Sequence, residues 1–319
     1  MAPSPFAFSA PATSRGQPGS LNAALEQELG ALRDAGLHRT LRRVTRRGGV
    51  ELSVDGAPAI DFSSNDYLGL AADSRLIRSV VSALADGALG ACASRSIAGN
   101  HPLHETLEET IARFKGVEAS LLFPSGFAAN VGAIQALTGR GDVIYSDALN
   151  HASIIDGCRL SRASVRTFPH NDLDALRTLL SIDGDTFRRR LIVVEGVFSM
   201  DGDLSPLDQL VPLAREYGAW TYLDDAHATG VLGRSGAGSA AHWGVTHDVD
   251  VTMGTLSKAL GTAGAFVAGS HTLRELLVNR ARPFIFSTGS PPALAAGALA
   301  ALRIAAEEGW RRDRLRANA

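Results

Sequence analysis

The chain has 319 residues, 45% of them apolar and 20% charged, a composition that supports one large core or two smaller ones and excludes a globally disordered polypeptide. With 31 basic against 33 acidic side chains the formal charge is −2, so no net field draws it to nucleic acid or to an anionic membrane. Cys92 and Cys158 stand far apart in no metal-ligand spacing, which argues against a zinc site or a disulfide framework and fits a reducing cytosol, and no apolar run approaches the roughly 20 residues of a membrane span.

In chain order, the opening "MAPSPFAFSAPATSRGQPGS" lacks the basic-then-apolar order of a secretory signal and reads as a disordered leader over residues 1–20. Leu21, Leu25, Leu29 and Leu32 recur at helical spacing and predict a helix over 21–36. The basic patch Arg39, Arg42, Arg43, Arg46 and Arg47 is either a solvated face or the place where one arginine meets an anionic ligand. "ELSVDGAPAIDF" predicts a hairpin turning at Asp55-Gly56. Beyond it, strand-like runs at 121–123, 143–145, 191–195, 220–224, 249–253 and 265–268 alternate with helical runs at 127–137, 152–160, 207–217 and 272–280. That alternation predicts an α/β fold with a mostly parallel sheet and helices on both faces. An Ala-rich helix over 291–308 is expected to leave the sheet domain. In open sheets of this kind, ligands bind beyond the carboxyl ends of the strands, and the unusual residues of this chain cluster there.

"TMGTLSKALGTAGAFVAG" holds a single lysine, Lys258, with the hydroxyls of Thr255 and Ser257 beside it and small residues after it. A solvated lysine needs no such setting, whereas an amine that must reach a bound aldehyde does. In "TYLDDAHATG", Asp224 or Asp225 suits a helix N-cap. A strand-end aspartate can also keep a pyridine nitrogen protonated, and His227 can donate to a phenolic oxygen. "FPSGFAANVGA" runs from a strand into a helix, so Ser125 and Gly126 open either an ordinary capped connection or a phosphate site of outward-pointing N–H groups. His151, in "SDALNHASIIDG", is a cap or a flat partner for an aromatic ring. Glu195 and Ser199 follow the most apolar strand. A lysine, a strand-end aspartate, a stacking imidazole and a helix-terminal phosphate cradle together make the set of groups that pyridoxal 5'-phosphate requires.

"DFSSNDYLGL", "SGFAAN", "NHASIIDG", "EGVFSMDGD", "DDAHATG", "GTLSKALG" and "FSTGSPPA" resemble the α-oxoamine synthases, a branch of the fold-type I pyridoxal phosphate enzymes, from about Leu21 to the end of the chain. The resemblance implies a seven-stranded, mostly parallel sheet flanked by helices. It also implies an N-terminal helix and hairpin over 21–60, a large cofactor domain over 61–290 and the start of a C-terminal domain over 291–319, with the rest of that domain absent. It implies decarboxylative condensation of an amino acid with an acyl-CoA or acyl-carrier thioester, nearest to the biotin-pathway branch that joins L-alanine to a pimeloyl thioester. Carried over by position, Lys258 would bind the cofactor aldehyde and remove the substrate α-proton, and Asp224 would pair with the ring nitrogen. His227 and Ser199 would contact the phenolic oxygen, and His151 would stack on the ring. Ser125, Gly126, Phe127 and Thr255 would hold the phosphate, and Thr288 would reach the phosphate of a neighbouring subunit in a homodimer. Asn65 and Arg39 would lie near the substrates, and no metal is implied. Ser257 and Ala259 flank the lysine where many relatives carry glycine. The alternatives are a family member with another amino acid and acyl chain, or a non-catalytic subunit that keeps the fold.

Overall fold

The computed structural model describes residues 20–319, with the side chains of residues 46–48 excepted. The leader expected over 1–20 therefore lies, apart from Ser20, outside the described residues, as do the side chains of Arg46 and Arg47. The chain divides into two compact units, Met1–Phe62 and Ser63–Ala319.

In the first unit, helix α1 (Leu21–Asp34) begins at Ser20, whose hydroxyl accepts the Ala23 N–H at 3.3 Å. Three antiparallel strands follow, β1 (Val44–Gly48), β2 (Glu51–Val54) and β3 (Ala57–Ile60). The β2–β3 pair is the hairpin predicted from the sequence. Asp55 and Gly56 take φ of 52° and 92°, the left-handed pair that a two-residue turn demands. Arg42 of the basic patch is engaged locally with the Asp55 carboxylate, which also accepts the Arg43 backbone N–H at 2.8 Å. Strand β1 has no sequence signal, because its "VTRRG" shows no alternation of apolar and polar residues.

The second unit opens with α2 (Ser74–Ala85) and α3 (Pro102–Lys115). It continues through β4 (Ala119–Phe123), α4 (Gly126–Leu137), β5 (Val143–Asp147), α5 (Ala152–Ser161), β6 (Ser164–Phe168), α6 (Leu173–Asp183), β7 (Arg190–Glu195) and α7 (Leu207–Glu216). The remainder is β8 (Trp220–Asp224), α8 (Ser239–His242), β9 (Val251–Thr255), β10 (Ala265–Gly269), α9 (His271–Arg280), α10 (Arg282–Ile285), α11 (Pro292–Glu307) and α12 (Gly309–Asn318). The seven strands β4 to β10 form one sheet in the order β4-β10-β9-β8-β7-β5-β6. Only β10 runs against its neighbours. It follows β9 after the loop over residues 256–264, and an antiparallel return needs no crossover helix.

Apart from the edge strand β6, the strands of this sheet are buried on both faces, which is why β7 reads as the continuous run "LIVV". Leu191, Val193, Tyr222, Val251 and Met253 point into a cluster with α4, α5 and α9. Ile192, Val194 and Leu223 point the other way, toward α6 and α7. The helix expected to leave the sheet domain instead lays Ala295, Ala298, Ala301 and Ala305 into a shared cluster with Leu122, Leu256 and Phe266. Its small side chains let it approach closely: a Cβ at Gly297 would stand 2.9 Å from Val80.

Candidate active site

Because β10 alone is reversed, β4, β5, β7, β8 and β9 all present their carboxyl ends on one edge of the sheet. The segments that leave those ends carry Ser125, His151, Glu195, Asp224 with His227, and Lys258.

Asp224 closes β8 and pairs in register with Glu195 on β7, so two carboxylates lie side by side on adjacent strands. Asp224 is 4% exposed. One of its oxygens accepts the Asn130 amide N–H at 2.7 Å and the other accepts the Ala226 backbone N–H at 3.0 Å. Burial raises its pKa against those two hydrogen bonds. Glu195 is pushed up to about 7, first by burial and then by the charge of Asp224. It accepts the His151 backbone N–H at 2.6 Å and a backbone N–H from Ser199. The second aspartate of the pair, Asp225, turns away into a buried ion pair with Lys115 at 2.6 Å, so only Asp224 belongs to this site.

Lys258 follows β9, and its Nζ lies 2.8 Å from His227 Nε2. His227 Nδ1 lies 2.7 Å from the Tyr67 hydroxyl, which donates to Asn65 Oδ1 at 3.1 Å. Burial, followed by the charges of Lys258 and His151, lowers the His227 pKa to about 4, so the ring is neutral. One tautomer then satisfies the whole chain: Lys258 donates to Nε2, Nδ1–H donates to Tyr67, and Tyr67 donates to Asn65. Burial also lowers the Lys258 pKa, against the pull of Asp224 and Glu195. The run of small residues after Lys258, expected to make room for a ligand, is shaped by the chain itself. A Cβ on Gly261, which has φ of 63°, would stand 2.4 Å from the Ala71 backbone nitrogen, and Ala259 packs against Gly230.

Ser125 caps α4 by accepting the Ala128 N–H at 3.2 Å, and the N–H groups of Gly126 and Phe127 have no intrahelical acceptor. A Cβ on Gly126 would stand 2.9 Å from the Thr255 methyl group, so the helix terminus sits directly on the end of β9. The Thr255 hydroxyl itself donates to the Ala226 carbonyl at 3.3 Å. His151 caps α5, its Nδ1 accepting the Ser153 N–H at 3.2 Å and meeting the Ser153 hydroxyl at 2.8 Å. The Ser199 side chain is exposed. Thr288 lies apart from this cluster, bridged through its backbone to Ser94, and Arg39 belongs to the first unit.

These residues fit pyridoxal phosphate on three counts. Asp224 is a buried carboxylate with no cation in salt-bridge contact among the described residues, the partner that a protonated ring nitrogen supplies. Lys258 is an amine of lowered proton affinity, able to attack an aldehyde. The α4 terminus offers free N–H groups to a phosphate. Asn130 and Tyr67 were not singled out from the sequence. Both lie within quoted motifs, but an asparagine inside an apolar helix and a tyrosine in a loop carry no periodic signal.

The family model described as aminotransferase class I and II matches residues 57–319. An 8-amino-7-oxononanoate synthase from Geobacter sulfurreducens is 55% identical over 275 residues, which is 86% of this chain and 70% of that protein. A serine palmitoyltransferase from S. paucimobilis with a bound PLP–myriocin aldimine superposes with a TM-score of 0.85 at 31% identity, covering 94% of this chain and 76% of that one. An 8-amino-7-oxononanoate synthase structure from Francisella tularensis gives 0.71 at 30% identity, covering 81% and 72%. The sheet order, the strand-end lysine and aspartate, and these similarities agree: the chain belongs to the aminotransferase class I and II family, in its α-oxoamine synthase branch.

Proposed function

We propose that this synthase joins L-alanine to a pimeloyl thioester, carried on CoA or on a carrier protein, with loss of carbon dioxide, and so serves biotin synthesis. The chain is a pyridoxal phosphate-dependent acyltransferase by its family. The choice of product follows its 55% identity to an 8-amino-7-oxononanoate synthase. The observation that carries the chemistry is the half-buried Lys258 amine, 2.8 Å from a neutral His227 and electrostatically coupled to Asp224 and Glu195.

When bound, pyridoxal phosphate supplies a reactive aldehyde and an electron-withdrawing ring. Lys258 would hold that aldehyde through Nζ and would serve as the base for the proton on the amino acid's α-carbon. Its lowered pKa keeps it neutral nearer to physiological pH, as both tasks require. Asp224 holds a proton on the ring nitrogen through its fixed charge. His227 and Ser199 would contact the phenolic oxygen, and His151 would cover one ring face. Ser125, Gly126, Phe127 and Thr255 receive the phosphate. Asn65 and Arg39 meet the substrates. A second copy of the chain supplies Thr288, and Leu89, Ile97 and Phe286, each at least 69% exposed, support an interface near the Ser94–Thr288 bridge. Its unpaired Cys92 and Cys158 support a reducing, cytoplasmic setting. No described helix is long and apolar enough to cross a membrane.

Borohydride reduction of the cofactor-saturated protein is expected to leave a mass adduct on Lys258 that Lys258→Ala abolishes. A panel of pimeloyl, acetyl, succinyl and palmitoyl thioesters against alanine, glycine and serine is expected to select pimeloyl with alanine. Turnover of palmitoyl thioester with serine instead would favour the serine palmitoyltransferase type, and no adduct at Lys258 would reject the enzyme reading.

A further inference from the structure

Tyr222 and Asp224 are two residues apart on β8 and so point to the same face of the sheet. That face meets α4, where Asn130 is 1% exposed. The Asn130 carbonyl oxygen accepts the Tyr222 hydroxyl at 2.9 Å. Its two amide hydrogens go to Asp224 at 2.7 Å and to the Ser153 hydroxyl at 2.8 Å. Ser153 in turn meets His151 Nδ1 at 2.8 Å; Nδ1 also accepts the Ser153 backbone N–H at 3.2 Å, so it carries no proton, the Ser153 hydroxyl donates to it, and the His151 proton sits on Nε2. Helix α5 comes close enough for this because Gly157, one turn after Ser153, faces α4: a Cβ there would stand 3.1 Å from Ile134. Every donor and acceptor of the Asn130 side chain is therefore used, and Tyr222 fixes which way round the amide sits.

We propose that Asn130 is the positioning residue of this site, a single buried amide that orients the Asp224 carboxylate directly and the His151 imidazole through Ser153. The assignment rests on the cofactor reading above. Its consequence is electrostatic as well as geometric. The Asn130 N–H favours the charged form of a carboxylate that burial otherwise pushes toward neutrality. Without it, Asp224 takes up a proton at higher pH and ceases to pair with a ring nitrogen. The other titratable groups around Asp224 are Glu195 on β7, Tyr222 on β8, Lys258 after β9 and His151 at the start of α5. All of them are retained when only Asn130 is changed.

The test compares the parent holoprotein with Asn130→Leu, which keeps a branched side chain of similar shape but cannot donate. Pyridoxal phosphate binding is measured from pH 6 to 8.5, and the ratio of the two dissociation constants removes titrations common to both proteins. A hydrogen bond to a charged group shifts a pKa by about one to two units. The variant is therefore expected to bind more weakly, by about tenfold or more, at the acidic end of the range and to regain affinity relative to the parent as pH rises and Asp224 ionises again. A ratio that stays at one, or a loss that does not vary with pH, overturns the assignment, since loosened packing alone would not track the protonation of Asp224. If Asn130→Leu fails to fold by circular dichroism, Asn130→Ser, too short to reach both partners, carries the same comparison with the same two outcomes. Borohydride trapping on the parent comes first: no adduct at Lys258 rejects the cofactor reading and this inference with it, whereas an adduct with an unvarying ratio rejects the role of Asn130 alone.

Discussion

Glu195 and Asp224, paired in register on adjacent strands, put two buried carboxylates where one negative charge is easier to hold than two. Glu195 yields, its pKa rising from 4.5 to about 7. A carboxyl with a raised folded-state pKa contributes stability that is fully present below pH 4.5 and is lost as pH rises through about 7. In cofactor-free protein this slope is worth on the order of 3 kcal/mol. Glu195→Gln, which keeps an acceptor for the His151 N–H, is expected to flatten the dependence of unfolding free energy on pH across that window, measured by urea denaturation. A slope equal to the parent's would assign the titration to another group. At this scale the residue types of the site were legible because lysine, aspartate and histidine at strand ends have no ordinary structural reason to gather. Asn130 was not, since nothing in "GFAANVGA" tells which of its neighbours the helix turns toward β8.

At the scale of elements, a second cluster fixes the excursion that follows β7. His170, just after β6, lies 3.0 Å from Asp147 at the end of β5 and 2.7 Å from Asp203. Asn171 donates to Asp203 at 2.9 Å and to the Leu204 carbonyl at 3.2 Å. Phe198 packs edge-on against the His170 ring, so the segment carrying Ser199 is held from both ends. Burial draws the His170 pKa down, but the two carboxylates outweigh it and the net shift is upward. The clamp is thus fully present below the unfolded value of 6.5 and is lost as pH rises through the higher folded one. His170→Gln is expected to lose about 1–2 kcal/mol at pH 6 and distinctly less at pH 9, read from chemical unfolding at the two pH values. Equal losses at both would mean that packing on Phe198, and not charge, holds the loop. Strand β6 beside this cluster escaped the sequence pattern because it is an edge strand, largely exposed, with an arginine at its centre.

Across the whole molecule, distant segments are joined by charges that left water. Lys115, at the end of α3, gives its three protons to Asp225 at 2.6 Å, Thr229 at 3.2 Å and the Ala237 carbonyl at 2.7 Å. This pins α3 to the segment between β8 and α8, and both side chains of the ion pair are almost wholly buried. Lys115→Met leaves the Asp225 carboxylate uncompensated and is expected to lower stability by about 3–5 kcal/mol, measured by urea unfolding. A loss below about 1 kcal/mol would show that Ser239, which also donates to Asp225, suffices alone. The proposed dimer makes its own prediction: sedimentation equilibrium of the holoprotein should give a single species of twice the 33.4 kDa chain mass, and a monomer at micromolar concentration would remove Thr288 from the cofactor site.

The sequence by itself determined the alternation of strand and helix, hence the α/β class, and the residue types that gather where strands end, hence the cofactor. Periodicity and strand-end position are local properties, readable in a window of a dozen residues. Only the tertiary structure decided that Asp225 turns away to Lys115, that Gly261 is small for the sake of the chain's own backbone, that α11 packs back onto α2 and α3, and that Asn130 joins Asp224 to His151. Each of these depends on strand order and helix approach, which bring together residues as far apart as Asn130 and Asp224, and no local stretch of sequence carries that information.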